Sequence, residues 1–494
     1  MIKKICEEIY AGINVRENLI ELNQMIKDEG FLDSFLDEYY ENEAKFKELL
    51  DSEDSKIRKN IVKLLGRVAD PELKDDIFRH YQAETTQFLK SDYLSALASF
   101  DYKEYLPELK KRWYELGEQE RTKHSVEELK QLKLLIWKVE PPKRHTFDGY
   151  DMENKVLLIV SRGHEDTVLE EVKKIPDTTG KVMPGGCMVS TKRLEEVSRI
   201  RLFQAILFDF CPSMIPSYEG TAIGEKIIQA GIVEYIQKRH KEISPFLFRV
   251  EVKGVKDIAQ KNRIAKDLSK YLEEHSKGML VNEPSFYELE IRVIVGKSGS
   301  RVFLKLTCMP DTRFAYRKYA TSTSMQPTKA ALMMHYIQPY LRADSNILDP
   351  FCGTGTLLIE RAKIMDFRSI YGLDISGQAV QAAWENSQRA DVMLHLVQRS
   401  FNDFTHEYAF DEILTDMPRR SDNRPQKQIE YLYHILFNKS HELLAPKGIL
   451  VVYSEDKRMM ESELEEASWA KLLNKYPMGR DDASWIYVIE NTEE

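Results

Sequence analysis

The chain reads as a multidomain protein: an α-helical part over residues 1–140, a mixed α/β middle over 153–320, and a doubly wound α/β domain over 325–494. Three observations predict this. Up to about residue 138, apolar residues recur at spacings of three and four with few glycines, the signature of helices. Beyond about residue 328, short apolar strands alternate regularly with helical stretches, as a parallel sheet covered on both faces requires. Finally, 494 residues exceed what one core organises, and the length alone favours roughly three domains.

In the helical part the clearest unit is residues 54–66. Ile57, Ile61, Leu64 and Leu65 share one face, Asp54 or Ser55 caps the start, and Gly66 is placed to end it. Asp70-Pro71 opens a second helix through Ile77 and Tyr81, with proline where a helix start tolerates it. Further helices are expected around 94–113 and 126–137. The pair resembles a HEAT-type repeat, which implies a stack offering an extended surface; a plain helical cap is the alternative. The acidic bias (Asp33, Asp37, Glu38, Glu41, Glu43) favours a protein partner or simple solvation over RNA. Residues 139–145 carry Pro141 and Pro142 among polar neighbours, which bars helix continuation and marks a linker.

Strands are expected over 155–160, 248–252, 289–295 and 301–306, the last two joined by a Lys297-Ser298-Gly299 turn. A helix follows the first strand through Val168, Val172 and Ile175, and another spans 262–275, leading to Val281-Asn282-Glu283-Pro284. His164 stands alone, with no second ligand at metal spacing, and is expected as a loop residue. The order helix, Val-x-x-Pro, strand, strand resembles the second half of a THUMP domain, a module that grips structured RNA. The resemblance implies phosphate contacts from Lys253, Lys256, Lys261, Arg263 and Lys266, which on composition alone are equally an ordinary solvated helix face. Residues 311–319 mix basic and aromatic side chains, and Arg313, Tyr316, Arg317 and Lys318 are candidate RNA-binding residues.

Charge divides unevenly. Residues 1–150 hold 25 Lys/Arg against 31 Asp/Glu, residues 151–350 hold 30 against 25, and residues 351–494 hold 16 against 24. The net −9 therefore conceals a basic middle, and local potential is what attracts polyanions. Five scattered cysteines, an odd number without metal-ligand spacing, argue against a disulfide framework and a metal site. No stretch has the uninterrupted apolar run of a membrane helix, and the first fifteen residues lack a signal core, so a cytoplasmic protein is expected.

The most informative stretch is residues 346–360. Ile347 and Leu348 run into Asp349, then Pro350, Phe351, Cys352, Gly353, Thr354, Gly355 and Thr356 form a tight loop before a helix. Glycines there let the main chain approach a ligand where any Cβ would collide. The next strand, 369–374, ends in Asp374, with Ile375 following as a further cofactor-binding candidate, and this acid lies 21 residues beyond Gly353, where a ribose-binding carboxylate belongs. After a third strand at 394–397, Asp403, or alternatively Asn402, is placed to accept hydrogens from an adenine amino group. Further strands are expected at 410–416 and 448–453, with 484–489 closing the sheet as the last.

The string Asp-Pro-Phe-Cys-Gly-Thr-Gly-Thr resembles the S-adenosylmethionine loop of the THUMP-containing RNA methyltransferases, the putative RNA methylase family. That resemblance implies a Rossmann-like class I methyltransferase domain, S-adenosylmethionine as cofactor, and tRNA or rRNA as partner. It places the transfer site at Asp416, Met417, Pro418 and Arg419, where amino-methylating relatives carry Asn or Asp, a variable residue, Pro and an aromatic. An exocyclic amine is a poor nucleophile because its lone pair is delocalised into the ring, and an acceptor on its hydrogens reorients that pair. Arg419 departs from the aromatic; its guanidinium plane can still stack on a base. Asp with a non-proline second residue is similar to the guanine-N2 enzymes, leaving adenine N6, in RNA or DNA, as an alternative. An RNA-binding scaffold without turnover is another. Arg420 and Arg424 are positioned to clamp the RNA backbone. Cys352 is implied to be a small packing residue, not a nucleophile.

Overall fold

Helical periodicity up to residue 139 is realised as a stack of helices, and two sheets follow. The structure, a computed structural model, describes residues 2–27, 29–117, 122–321, 323–420, 425–479 and 483–493. It divides into two compact units, Met1–Lys143 and Arg144–Glu494.

In the first unit Asp54 caps helix Ser55–Val68, accepting from the Lys56 N–H at 2.7 Å. The helix does not stop at Gly66. It runs on to Val68 and ends on Ala69 in the left-handed region, φ 53°. Gly66 instead allows close packing on helix Gln87–Leu97: a Cβ there would lie 2.8 Å from the Ala96 Cβ. Asp70 caps a 3₁₀ turn, Pro71–Leu73, that passes into helix Lys74–Ala83 with Ile77 and Tyr81 buried. The segment expected as helical around 94–113 is two helices, Gln87–Leu97 and Leu106–Gly117. Helix Lys123–Val139 closes the unit, its Thr122 and Ser125 forming a reciprocal cap. Buried Glu128 is satisfied by the Arg112 guanidinium and the Tyr81 hydroxyl, both at 2.9 Å.

The second unit opens with His145, buried and bonded through Nδ1 to Glu288 at 2.9 Å. Its first sheet comprises β1 (Asn154–Ile159), β2 (Thr178–Met183), β3 (Gly186–Thr191), β4 (Ala205–Ile215), β5 (Phe246–Lys253), β6 (Leu280–Asn282), β7 (Leu289–Gly296) and β8 (Gly299–Leu306). Their order is β2-β3-β1-β4-β8-β7-β5-β6, so β4 joins the two halves by pairing with both β1 and β8. The β2–β3 hairpin, β4 and β6 are additions to the strands read from sequence.

The second sheet holds β9 (Ser345–Asp349), β10 (Phe367–Asp374), β11 (His395–Gln398), β12 (Phe410–Asp416), β13 (Leu444–Ser454), β14 (Ala470–Pro477) and β15 (Trp485–Asn491) in the order β11-β10-β9-β12-β13-β15-β14. β9 through β13 are parallel, and β15 runs antiparallel between β13 and β14. The last strand is thus interior, and β14, unseen in the sequence, forms the edge. Strand order reverses between β9 and β12, which opens a crevice at their carboxyl ends.

A polar seam ties the two sheets. Arg201 grips Glu360 with two bonds of 2.9 and 2.6 Å, and the Tyr316 hydroxyl donates to the same carboxylate at 2.6 Å. His164 Nδ1 and the Tyr336 hydroxyl share a bond of 2.8 Å, so this histidine is a buried packing residue at the start of helix Glu165–Lys173.

Candidate active site

The crevice holds a cleft of about 420 Å³ whose walls come from the ends of β9, β10 and β12 and the loops after them. Asp349 ends β9 fully buried, accepting from the Phe351 N–H at 3.0 Å and the Thr415 hydroxyl at 3.1 Å. The Cys352 N–H donates to the Leu373 carbonyl, tying the loop to β10. Gly353 and Gly355 take positive φ, 52° and 76°. A Cβ on Gly355 would press on Ala383, whereas one on Gly353 would enter open space at the cleft. Asp374 closes β10, accepting from the Gly353 N–H at 3.1 Å and the Ser376 N–H at 2.8 Å.

The other lining residues include Pro350, Phe351, Cys352, Thr354, Thr356, Ile375 and Asn402. Thr356 places a buried hydroxyl there that has no hydrogen-bond partner among the described residues. Asn402, not Asp403, lies on the cleft wall; the Asp403 carboxylate accepts from the Asn402 amide at 3.2 Å. Of the two candidates named from the sequence, Asn402 is the one on the cleft wall. Burial pushes the Cys352 thiol well above its ordinary pKa, in keeping with a packing role.

Electrostatics favour a cation. Burial raises the Asp349 carboxyl to about 8, and the neighbouring Asp416 and Asp374 add to the rise. Three carboxyl groups converge on one cleft, and a positive ligand beside Asp349 favours its ionised form. The bare Gly353 loop, the Thr356 hydroxyl, which has no hydrogen-bond partner among the described residues, and this acidic lining fit a ligand with an ammonium, a sulfonium and a ribose.

At the far wall, Asp416 ends β12. Its Oδ1 is buried and lacks a hydrogen-bond partner among the described residues; the Arg419 guanidinium stands 3.9 Å away. Burial lifts the Asp416 carboxyl to about 6, while Arg419 and Lys329 oppose the rise. The Met417 N–H donates to the Tyr453 carbonyl at 3.0 Å, and Pro418 follows on the cleft wall. Arg419 is exposed and pairs with Glu455 at 3.2 Å. Sequence reading missed the groups that surround it. Lys329 Nζ donates to the Tyr453 hydroxyl at 2.7 Å, which donates to Glu455 at 3.2 Å. Glu455 was detectable in principle, as an acid just past the carboxyl end of a parallel strand.

The residues expected to hold RNA separate. Arg313 is buried, its guanidinium bonded to Asp311 and to the carbonyls of Ile200 and Phe203 at 2.9 and 2.8 Å. Tyr316 is buried on Glu360. Both are corrected to seam residues, since no donor of theirs faces a surface. Arg317 donates to the Met325 carbonyl at 3.2 Å and is half-buried. Lys318 remains exposed, and Arg420 is exposed at the cleft mouth. Arg424 lies outside the described residues. A separate depression near Asp75, Asp76 and Glu104 is open surface whose charges pair locally, as Asp76 does with Arg79 at 2.7 Å.

Part of the chain is similar to known proteins. Residues 315–479 match the family model UPF0020, described as an RMKL-like methyltransferase domain. A tRNA (guanine(10)-N2)-dimethyltransferase of Methanothermobacter thermautotrophicus is 31% identical over 169 residues, 34% of this chain and 49% of that protein. YbxB of Bacillus subtilis is 26% identical over 125 residues, 25% of this chain and 59% of its own length. The chain thus spans about half the length of the curated relatives it matches. Among solved structures, TrmN from Thermus thermophilus superposes with a TM-score of 0.52 at 18% identity, covering 68% of this chain and 99% of TrmN. SMU.472, solved with SAH, gives 0.51 at 16%, covering 69% and 99%. At such identities the likeness speaks for the fold. No helix among the described residues is long and apolar enough to cross a membrane. Strands β9 to β14 of the second sheet lie within the part of the chain, residues 315–479, that is similar to RMKL-like methyltransferase domains.

Proposed function

We propose that this chain binds S-adenosylmethionine in the cleft at β9 and β10 and methylates an exocyclic amine of an RNA base, guanine N2 in tRNA foremost, with rRNA as the other source. The observation that carries the reading is the buried Oδ1 of Asp416, which accepts no hydrogen bond among the described residues, in the same cleft as the bare Gly353 loop. The archaeal relative's substrate supports guanine N2.

When bound, the cofactor would supply an electrophilic methyl group on a positively charged sulfur, its S–C bond breaking to leave a neutral thioether. Asp374, Ile375 and Asn402, which line the cleft, would hold its ribose and adenine. Asp416 accepts one amine N–H, which turns the nitrogen lone pair out of conjugation and toward the donor. Pro418 keeps the loop rigid, and the proton left on nitrogen passes to Asp416 or water. Because methylated amine nitrogen sheds its proton readily, a strong base is not needed. The helical unit is proposed to meet a protein partner, given its acidic surface.

A second reading, a scaffold that binds RNA without turnover, is favoured by the Arg419–Glu455 pair at the mouth. Incubating the full chain with unmodified tRNA and rRNA and methyl-labelled cofactor separates the two. Label in N2-methylguanosine, identified by mass spectrometry of the digested RNA, is expected. Label in N6-methyladenosine would move the substrate to adenine, and labelling of DNA alone would remove RNA. Cofactor binding without label in any nucleic acid would leave the scaffold.

A further inference from the structure

We propose that Tyr431 supplies the aromatic face on which the target base stacks during transfer. This rests on the amine-methylation reading above. Helix Gln426–Leu443 borders the cleft with Gln428, Tyr431, Leu432 and Ile435, spaced i, i+3, i+4 and i+7, so one stripe of the helix faces the site. Ile435 is buried and Leu432 packs on the core. Tyr431, one turn nearer the mouth, is 55% exposed. Among the described residues no hydrogen bond or ring contact holds it.

An aromatic ring left in water at the rim of a pocket is available for stacking, and a tyrosine offers a flat face at little conformational cost. Alternatives within the cleft are committed elsewhere. Phe351 and Phe401 pack edge-to-face, with centroids 6.1 Å apart, on the side of Asn402. Arg419, the residue after Pro418, has its guanidinium on Glu455 and 5.9 Å from the Tyr453 ring. Residues 421–424, between Arg420 and the helix, include no aromatic. Of the exposed side chains that line the cleft, Tyr431 alone among the described residues is aromatic.

The test uses the full chain, labelled cofactor and unmodified tRNA and rRNA, with SAH titration as a control. Tyr431→Leu keeps bulk but removes the plane. It is expected to lower kcat/KM for RNA on the order of ten- to a hundredfold. Tyr431→Phe should stay within about twofold, because stacking needs the ring and not the hydroxyl. SAH affinity should be unchanged in both variants, which a general structural defect would not allow. Wild-type rates in Tyr431→Leu, or equal losses in Leu and Phe, overturn the assignment while leaving the methyltransferase reading intact. A wild-type protein that labels no RNA overturns both.

Discussion

If Asp416 must be ionised to accept the amine hydrogen, transfer should fail on the acid side of neutrality. Its carboxyl is raised to about 6 by burial. That rise corresponds to about 3 kcal/mol against the charged form. With a pKa near 6, about nine-tenths of the protein carries the anion at pH 7 and about one-tenth at pH 5. The sign follows: the active form is present above the raised pKa and is lost as pH falls through it. Measured kcat/KM, which reports the groups of the free protein, should therefore drop roughly tenfold from its plateau by pH 5. Arg419→Gln removes a cation 3.9 Å away whose side chain is 47% exposed. Such a screened pair contributes about 0.2–1 kcal/mol, so the acid limb should move upward by less than about one pH unit. Asp416→Asn keeps an acceptor oxygen but cannot titrate, and should give a low plateau with no limb at all. A wild-type rate that is flat from pH 5 to 8, or a limb that survives in Asp416→Asn, would refute the role given to this carboxylate.

Gly353→Ala places a methyl group at the cleft and imposes a left-handed φ on a residue with a side chain, at about 1–2 kcal/mol. SAH affinity by calorimetry should fall at least about tenfold, with a melting point lowered by only a few degrees; unchanged affinity would contradict the cradle. For Asp349, raised to about 8 in the folded protein, stability is fully present below the unfolded carboxyl pKa and is lost as pH rises toward 8. Asp349→Asn should thus stabilise the cofactor-free protein progressively more between about pH 4 and 8, read as a widening gap in melting temperature; a constant gap would contradict the burial of this charge. Gly66→Ala ought to lower the melting temperature although alanine favours helices, because its Cβ would stand 2.8 Å from that of Ala96. A rise would mean that the helices separate freely.

Much of the site was legible because a parallel sheet puts its chemistry at carboxyl ends of strands, where Asp349, Asp374 and Asp416 fall in the sequence as the last residue of each apolar run. Two conformational facts were equally accessible: glycine at positive φ, and Asp54 as a cap. Burial of Arg313 and Tyr316 was not. Their partners Glu360, Ile200 and Phe203 are between 44 and 113 residues away, and a cluster of arginine and tyrosine looks alike whether it faces water or another sheet. β14 escaped notice because Lys471, Asn474 and Lys475 interrupt its apolar alternation, as an edge strand's exposure permits. Gly66 illustrates a different failure. Its position near the end of an apolar stripe suggested a cap, and only the neighbouring Ala96 reveals the close approach that needs it.

The insertion of β15 between β13 and β14 has a consequence for biosynthesis. A chain emerging from the ribosome presents β13 and then β14 before the strand that must separate them exists. During that interval the outer edge of β13 exposes unpaired backbone groups along an apolar ladder, and nothing hydrogen-bonds β14 in place. Completion of this sheet consequently waits until β15 has been made. A nascent protein stalled before residue 485 would offer that ladder to chaperones or to another unfinished copy.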